Sequence, residues 1–283
     1  MAVFYNYATL SYNQGVTNSN VVTGELVEVI TVSKNAVADG YRAGDTVTYV
    51  VNIINSGNVA YNNLTLTDDL GAFTVGTSTY VPLSYLSGSA QYYVNGILQA
   101  APTVTAGPPL TISGINVPAD SNAAIVYRAT VTEYAPLASG SEITNTASVS
   151  GDGMTTVTAT ETLPILDEAR LSITKAINPT TVVENEPLTY TFVITNTGNT
   201  PALATDNVVL SDTFNPVLDI TSVTFNGASW VAPTNYTYDG TTGVFSTVAG
   251  QITVPAATYT TDPVSGVVTV TPGTAVLTVT GTI

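Results

Sequence analysis

The feature that most limits what this chain can fold into is an internal repeat. The run SKNAVADGYRAGDTVTYVVNIINSGNVAYNNLTLTDDLG from Ser33 matches TKAINPTTVVENEPLTYTFVITNTGNTPALATDNVVLSDTFN from Thr174. Lys34 aligns with Lys175, Tyr49 with Tyr190, Asn55 with Asn196 and Gly57 with Gly198, all at one constant offset. After a three-residue insertion, Asp68 aligns with Asp212. A repeat of this length is a whole domain, so the 283 residues hold two copies of one fold. In both copies Thr, Val, Ser, Tyr and Asn alternate with apolar residues over short runs, broken by turns such as SGN, NTGN and DGTTG. That period of two predicts strands and an all-β protein of two tandem sandwich domains.

The copies are unequal. In the first, AIVYRATVT is followed by the hairpin EITNTASVSGDGMTTVTATETLPI and then the linker LDEAR; in the second, the matching AVLTVTGTI has no such hairpin after it. A segment of that kind stands at the other end. FYNYATLSYNQGVTNSNVVTGELVEV resembles ITNTASVSGDGMTTVTATETLPI, with Asn6 on Asn145, Ala8 on Ala147 and Leu10 on Val149. The spacing agrees as well, since Asn6 precedes Lys34 by almost the same separation as Asn145 precedes Lys175. The expected organisation is therefore a donor segment over 1–28, a complete sandwich over 29–166, and a sandwich lacking its last strand over 167–283. Such a sandwich leaves a core groove and an unpaired backbone edge. The first segment of another copy fills that groove by donor-strand complementation. Donor and acceptor lie on different parts of the chain, so the contact is heterologous and propagates into an open fibre. Phe4, Asn6, Ala8 and Leu10 share one strand face and make the contact, each large side chain worth about 1.5–3 kcal/mol when buried. A flexible tail conflicts with the period-2 run of Val, Tyr and Leu, and closure within one chain conflicts with the short linker.

Strand parity also places polar residues on apolar faces. Lys34 shares a face with Ile30 and Val32; Asp68 with Leu64, Leu66 and Leu70; Asn145 with Ile143, Ala147 and Val149. The second copy repeats Lys175 (with Leu171, Ile173 and Ile177) and Asp212 (with Val208, Leu210 and Phe214) but has no such Asn, and the donor segment carries Asn6. Buried groups of this kind must satisfy one another, which a hydrogen-bonded Lys–Asp–Asn cluster does. A covalent outcome is open as well: desolvation lowers a lysine's pKa and raises a carboxyl's, and a neutral amine attacks an Asn carbonyl, expelling ammonia and leaving an isopeptide with no cofactor.

The pattern K…LTYTFVITNTGN…VVLSDTF…ITNTASV resembles the Ig-like repeat domain of unknown function found in prokaryotic cell-surface and cell-wall proteins, over nearly the whole chain. Its Lys/Asp/Asn pattern is similar to that of surface domains with internal isopeptide bonds. The resemblance implies Ig-like β-sandwiches and a pilus or spore-appendage type of subunit. It also implies an intramolecular Lys34–Asn145 bond assisted by Asp68 and an intermolecular Lys175–Asn6 bond assisted by Asp212. Many such proteins carry a signal peptide and an anchoring segment, neither of which is visible here.

Composition narrows the classes. Twenty acidic residues against five basic ones give a net charge of −15, which repels nucleic acid and anionic membrane surfaces. With no His and no Cys, Ser-His-Asp and Cys-His catalysis, the usual zinc sites and disulfides are excluded. No run of about 18 apolar residues offers membrane insertion. The start MAVFYNYATL lacks a basic stretch followed by an apolar one, so either the numbering starts at a processed or engineered end, or the subunit is made in the cytoplasm and released by another route, towards which the sequence leans. Asp68, Asp69, Asp206, Asp219, Asp239 and Asp262 do not space oxygens as a calcium loop does, so no metal or cofactor is expected. Tyr92, Tyr93, Trp230, Tyr236 and Tyr238 read as packing residues sooner than as a sugar-binding surface. Nothing selects a carboxylate pair for glycoside hydrolysis. The expected function is a structural filament subunit at the cell or spore surface with itself as partner; an adhesin or ligand-binding surface module cut at a repeat boundary is the alternative, and an enzyme is a distant third.

Overall fold

The structure, a computed structural model, describes residues 2–26 and 28–283. The fold is all-β: two tandem β-sandwich units and an N-terminal hairpin, with a 3-10 turn at Ala204–Asp206 as the only helical element among the described residues. Among them, no helix is long and apolar enough to cross a membrane. One compact unit gathers the chain up to Asp39, Gly44–Thr132 and Ile143–Leu163; the other gathers Gly40–Ala43, Glu133–Glu142 and Pro164–Ile283.

The hairpin consists of β1 (Ala2–Asn6), β2 (Thr9–Tyr12), β3 (Gly15–Asn18) and β4 (Val22–Leu26). β2 pairs with β3 from Tyr12↔Gly15 to Thr9↔Asn18, and β1 pairs with β4 from Asn6↔Val22 to Ala2↔Leu26. Sequence parity puts Phe4, Asn6, Ala8 and Leu10 on one strand, but that strand is interrupted at Tyr7 and Ala8. The cause is one extra residue on the returning side, which has the character of a bulge. Ser19 holds the interruption: its Oγ accepts from the Ala8 N–H at 2.9 Å and its own N–H donates to the Ala8 carbonyl at 2.8 Å. Among the described residues these four strands pair only with each other.

The main strands of the first unit, in chain order, are β5 (Ile30–Ala36), β6 (Thr46–Asn55), β7 (Tyr61–Asp68), β8 (Gln91–Val94), β9 (Leu110–Val117), β10 (Ser121–Val131), β11 (Glu142–Ser150) and β12 (Val157–Pro164). One sheet runs β8-β10-β6-β5 and the other β9-β7-β11-β12, each extended by short strands. Alternation does the sorting. In TVTYVVNIIN of β6, Val47, Tyr49, Val51 and Ile53 are buried while the residues between them look outward. Across the ladder, β10 buries Ile125, Tyr127 and Ala129, with Tyr127 directly opposite Tyr49. From the facing sheet, β7 and β11 turn Leu64, Leu66, Ile143, Ala147 and Val149 into the same core.

The second unit is built from β13 (Leu171–Asn178), β14 (Pro187–Asn196), β15 (Ser211–Thr213), β16 (Asp219–Phe225), β17 (Tyr236–Asp239), β18 (Val244–Thr247) and β19 (Gly273–Thr282). One sheet runs β13-β14-β19-β16, and a smaller one β15-β18-β17. Phe192, Phe214, Phe245, Leu277 and Val279 centre its core. The repeat signatures NSGN and NTGN are structural. Asn55 donates to the carbonyls of Val59 and Pro118 and accepts from the Gly57 N–H; Asn196 does the same to Thr200 and Pro255 and accepts from Gly198. A Cβ on Gly198 would lie 2.1 Å from the Glu168 carbonyl, so only glycine fits there.

Candidate functional site

In the first unit β7 lies between β9 and β11, and β12 closes the edge. Behind that cover, the polar residues singled out by parity meet. Lys34 Nζ of β5 lies 2.6 Å from Asp68 Oδ2 at the end of β7, with both side chains fully buried. Asp68 Oδ1 accepts from the Leu70 N–H at 2.9 Å, and Tyr127 of β10 donates its hydroxyl to Oδ2. Lys34 Nζ also sits 5.0 Å from the centre of the Tyr49 ring, which stacks on Tyr127. Burial pushes the Lys34 amine below its ordinary range, against the pull of Asp68, Asp69 and Glu161. It pushes the Tyr127 and Tyr49 phenols up.

Asn145 is the unusual member. It is fully buried on β11, where its carboxamide interacts with the Tyr49 and Tyr127 hydroxyls but makes no hydrogen bond of standard geometry. The geometry thus holds an amine–carboxylate pair and a buried carboxamide in one core.

Tyr49 and Tyr127 were not singled out as site residues by the sequence. The signal was there for Tyr127, which shares strand parity with Ile125 and Ala129 in AIVYRATVT and so had to bring a hydroxyl into the core.

The second unit repeats half of this arrangement. Lys175 of β13 is ion-paired with Asp212 of β15, and its ammonium sits 4.5 Å from the Tyr190 ring centre and 5.4 Å from those of Phe192 and Phe214. Asp212 Oδ1 accepts from the Thr213 N–H at 2.9 Å. Val279 stands opposite Tyr190 where Tyr127 stands opposite Tyr49, so the aspartate has no tyrosine donor of that kind. The Lys175 side chain is 40% exposed, against none for Lys34. Parity directs it to the inner face, but the face is uncovered.

The rest of that face is uncovered too. All eight residues of β13 are exposed, including Leu171 (39%) and Ile173 (53%), whereas Ile30, the counterpart of Leu171, is 5% exposed. Where the first unit has the eight-residue β7 paired on both sides, the second has the three-residue β15 paired only with β18 among the described residues. Residues 207–210 before it form no strand. Leu171, Ile173, Ile194, Val208 and Leu210 line an open groove of about 170 Å³ along this edge.

Comparison with known proteins adds distant likenesses. The sequence matches no protein-family model and no curated relative. Among solved structures, the chain is similar to a variant of BcpA, the major pilin subunit of Bacillus cereus, at 12% identity and a TM-score of 0.39 over 96% of this chain and 73% of that one. It is similar to a C-terminal fragment of a major pilin of Streptococcus agalactiae at 12% identity and a TM-score of 0.38, covering 81% and 84% of the two chains. The collagen-binding subdomain of the Enterococcus faecalis surface protein ACE matches at 7% identity and a TM-score of 0.30, over 50% of this chain and 99% of that one.

The hairpin likewise leaves apolar side chains exposed. Phe4 (59%), Leu10 (64%) and Asn6 are exposed, as is Ala8. Besides Asp68, four of the six aspartates weighed for a cation accept backbone N–H groups. Asp69 accepts from the N–H groups of Gly71 and Thr146, Asp206 from Leu203, Asp239 from Thr241 and Asp262 from Val264 and Ser265. Among the described residues no three acidic side chains gather as a metal site would require. The aromatic candidates are dispersed into packing: Tyr92 is buried, Trp230 stacks on Phe225, Tyr236 on Phe245, and Tyr238 donates to the Leu218 carbonyl.

Proposed function

We propose that this chain is a structural subunit of an extracellular filament at the cell or spore surface, polymerising head-to-tail as the hairpin of one copy enters the open edge of the second unit of the next. One observation carries the reading. The face that β11 and β12 cover in the first unit is bare in the second, and the same chain holds an apolar hairpin of similar sequence that, among the described residues, pairs with no other strand. Donation satisfies both surfaces at once, adding ladder hydrogen bonds and burying Phe4 and Leu10 against Leu171 and Ile173. The two surfaces differ, so each subunit keeps one free end of each kind and the assembly grows.

The polymer is then locked covalently. In the first unit, Lys34 Nζ attacks Asn145 Cγ; the new Nζ–Cγ bond replaces Cγ–Nδ2, and Asp68 passes the amine's proton to the departing ammonia. The lowered amine pKa, the adjoining carboxylate and the carboxamide buried in the same core support this step. Between subunits, Lys175, Asp212 and the incoming Asn6 take the same roles. Electron microscopy of the purified chain tests the assembly: filaments are expected, and monomers alone after removal of residues 1–26. Boiling in detergent should leave a ladder that Asn6→Ala collapses while filaments persist. A full chain that stays monomeric at high concentration overturns the filament, and monomers that bind a glycan would point to an adhesin instead.

A further inference from the structure

We propose that Phe4 and Gly24 act as one unit, a ring seated on a bare Cα, and that this pair anchors the hairpin when a second copy receives it. The inference rests on the donor reading above and adds its specificity determinant.

Phe4 stands directly opposite Gly24 in the β1–β4 ladder, and the next rung on the same face is Asn6 opposite Val22. The ring lies over the glycine: a Cβ at position 24 would sit 2.3 Å from Phe4 Cζ and 2.8 Å from Cε2. Gly24 is accordingly only half-exposed, while Val22, Thr23 and Glu25 beside it are open.

The first unit shows what this rung does in a finished sandwich. Thr144 meets Thr162 at 3.4 Å and Thr146 meets Thr160 at 3.0 Å across β11 and β12, so Ile143 stands opposite Leu163 and Asn145 opposite Glu161. With Asn6 aligned on Asn145, Phe4 falls on Ile143, Gly24 on Leu163 and Val22 on Glu161, so the two pairs of rungs share one register. Ile143 and Leu163 are each 2% exposed, sealing the core beside Asn145. A benzyl group over a bare Cα presents nearly as many carbons as an isoleucine beside a leucine. It does so as one flat plate that its own hairpin holds in place, which lowers the ordering cost on docking.

The sign of one substitution isolates this pairing. Glycine inside a strand is unfavourable, so Gly24→Ala on propensity alone should strengthen the hairpin. Seated under Phe4, the new methyl instead lifts the ring away. Association of the full chain carrying Asn6→Ala, in which no covalent lock forms, followed by sedimentation velocity across a concentration series, should weaken about tenfold for Gly24→Ala and about a hundredfold for Phe4→Ala. In the Phe4→Ala background, Gly24→Ala should cost nothing or strengthen assembly, because the two effects are coupled. Wild-type chain that stays monomeric overturns the donor reading and this inference with it. Asn6→Ala polymers that Gly24→Ala leaves unchanged, or effects that simply multiply when Phe4→Ala and Gly24→Ala are combined, overturn the inference alone.

Discussion

Ile173 is 53% exposed on β13, and its replacement by aspartate separates assembly from folding. In the free chain the side chain meets mostly water, so the substitution should change the unfolding free energy by no more than about 0.5 kcal/mol, as for surface positions generally. In the polymer proposed above it lies under the donated hairpin. Covering the exposed half of an isoleucine is worth about 1 kcal/mol from its full burial of about 1.5–3 kcal/mol. Aspartate forfeits that gain and adds a carboxylate that must be desolvated beside Asp212 and the apolar groove, a further cost of a few kcal/mol. The total, about 3 kcal/mol or more, corresponds to association weakened at least a hundredfold at about 1.4 kcal/mol per factor of ten. Denaturant unfolding and sedimentation velocity on one preparation, in an Asn6→Ala background that keeps assembly reversible, read the two quantities separately. Polymers from Ile173→Asp that assemble like the Asn6→Ala parent would refute donation at this edge, and a large loss of folding stability would refute the claim that the face is open in the free chain.

The remaining expectations concern the two lysine sites. The intact chain should be lighter than its sequence by one ammonia in the monomer, and Asn145→Ala should restore the full mass; an unshifted wild-type mass sinks the intramolecular bond. Lys34→Met strands the Asp68 carboxylate in a core and should destabilise the first unit by about 3–5 kcal/mol, whereas Lys175→Met breaks a partly exposed pair worth less than about 1 kcal/mol, and equal losses by calorimetry would contradict the difference in burial. Burial holds the Tyr49 and Tyr127 phenols protonated above their ordinary 10.0, so beyond that pH the unfolded chain has released protons that the folded one retains. Stability should therefore fall as pH rises past about 10, with these two phenolates appearing only as circular dichroism reports unfolding. Full tyrosine ionisation of a chain that stays folded would show the pair to be solvent-accessible.

Much of this molecule is written in residue order. The constant offset that carries Lys34 onto Lys175 and Asn55 onto Asn196 specifies two copies of one fold, and period-2 alternation in TVTYVVNIIN and AIVYRATVT specifies strands with a wet and a dry side. Parity alone placed Lys34, Asp68 and Asn145 on inner faces, because a strand has only two sides and its apolar residues choose one. Parity says nothing of whether that side is covered. The same pattern in the second copy left Lys175 and Ile173 in solvent, since burial depends on a strand from elsewhere in the chain, or from another chain, lying across them. Three further features came only from the fold. The break at Tyr7 and Ala8 needs the count of residues on both arms of a hairpin. The Tyr127 hydroxyl on Asp68 needs two sheets brought face to face. The Phe4 ring over Gly24 needs a register that no local propensity encodes. Strand identity is a short-range property of side-chain alternation, whereas exposure, hydrogen-bond completion and docking are set by contacts distant in sequence, and those exist only once the chain has closed on itself.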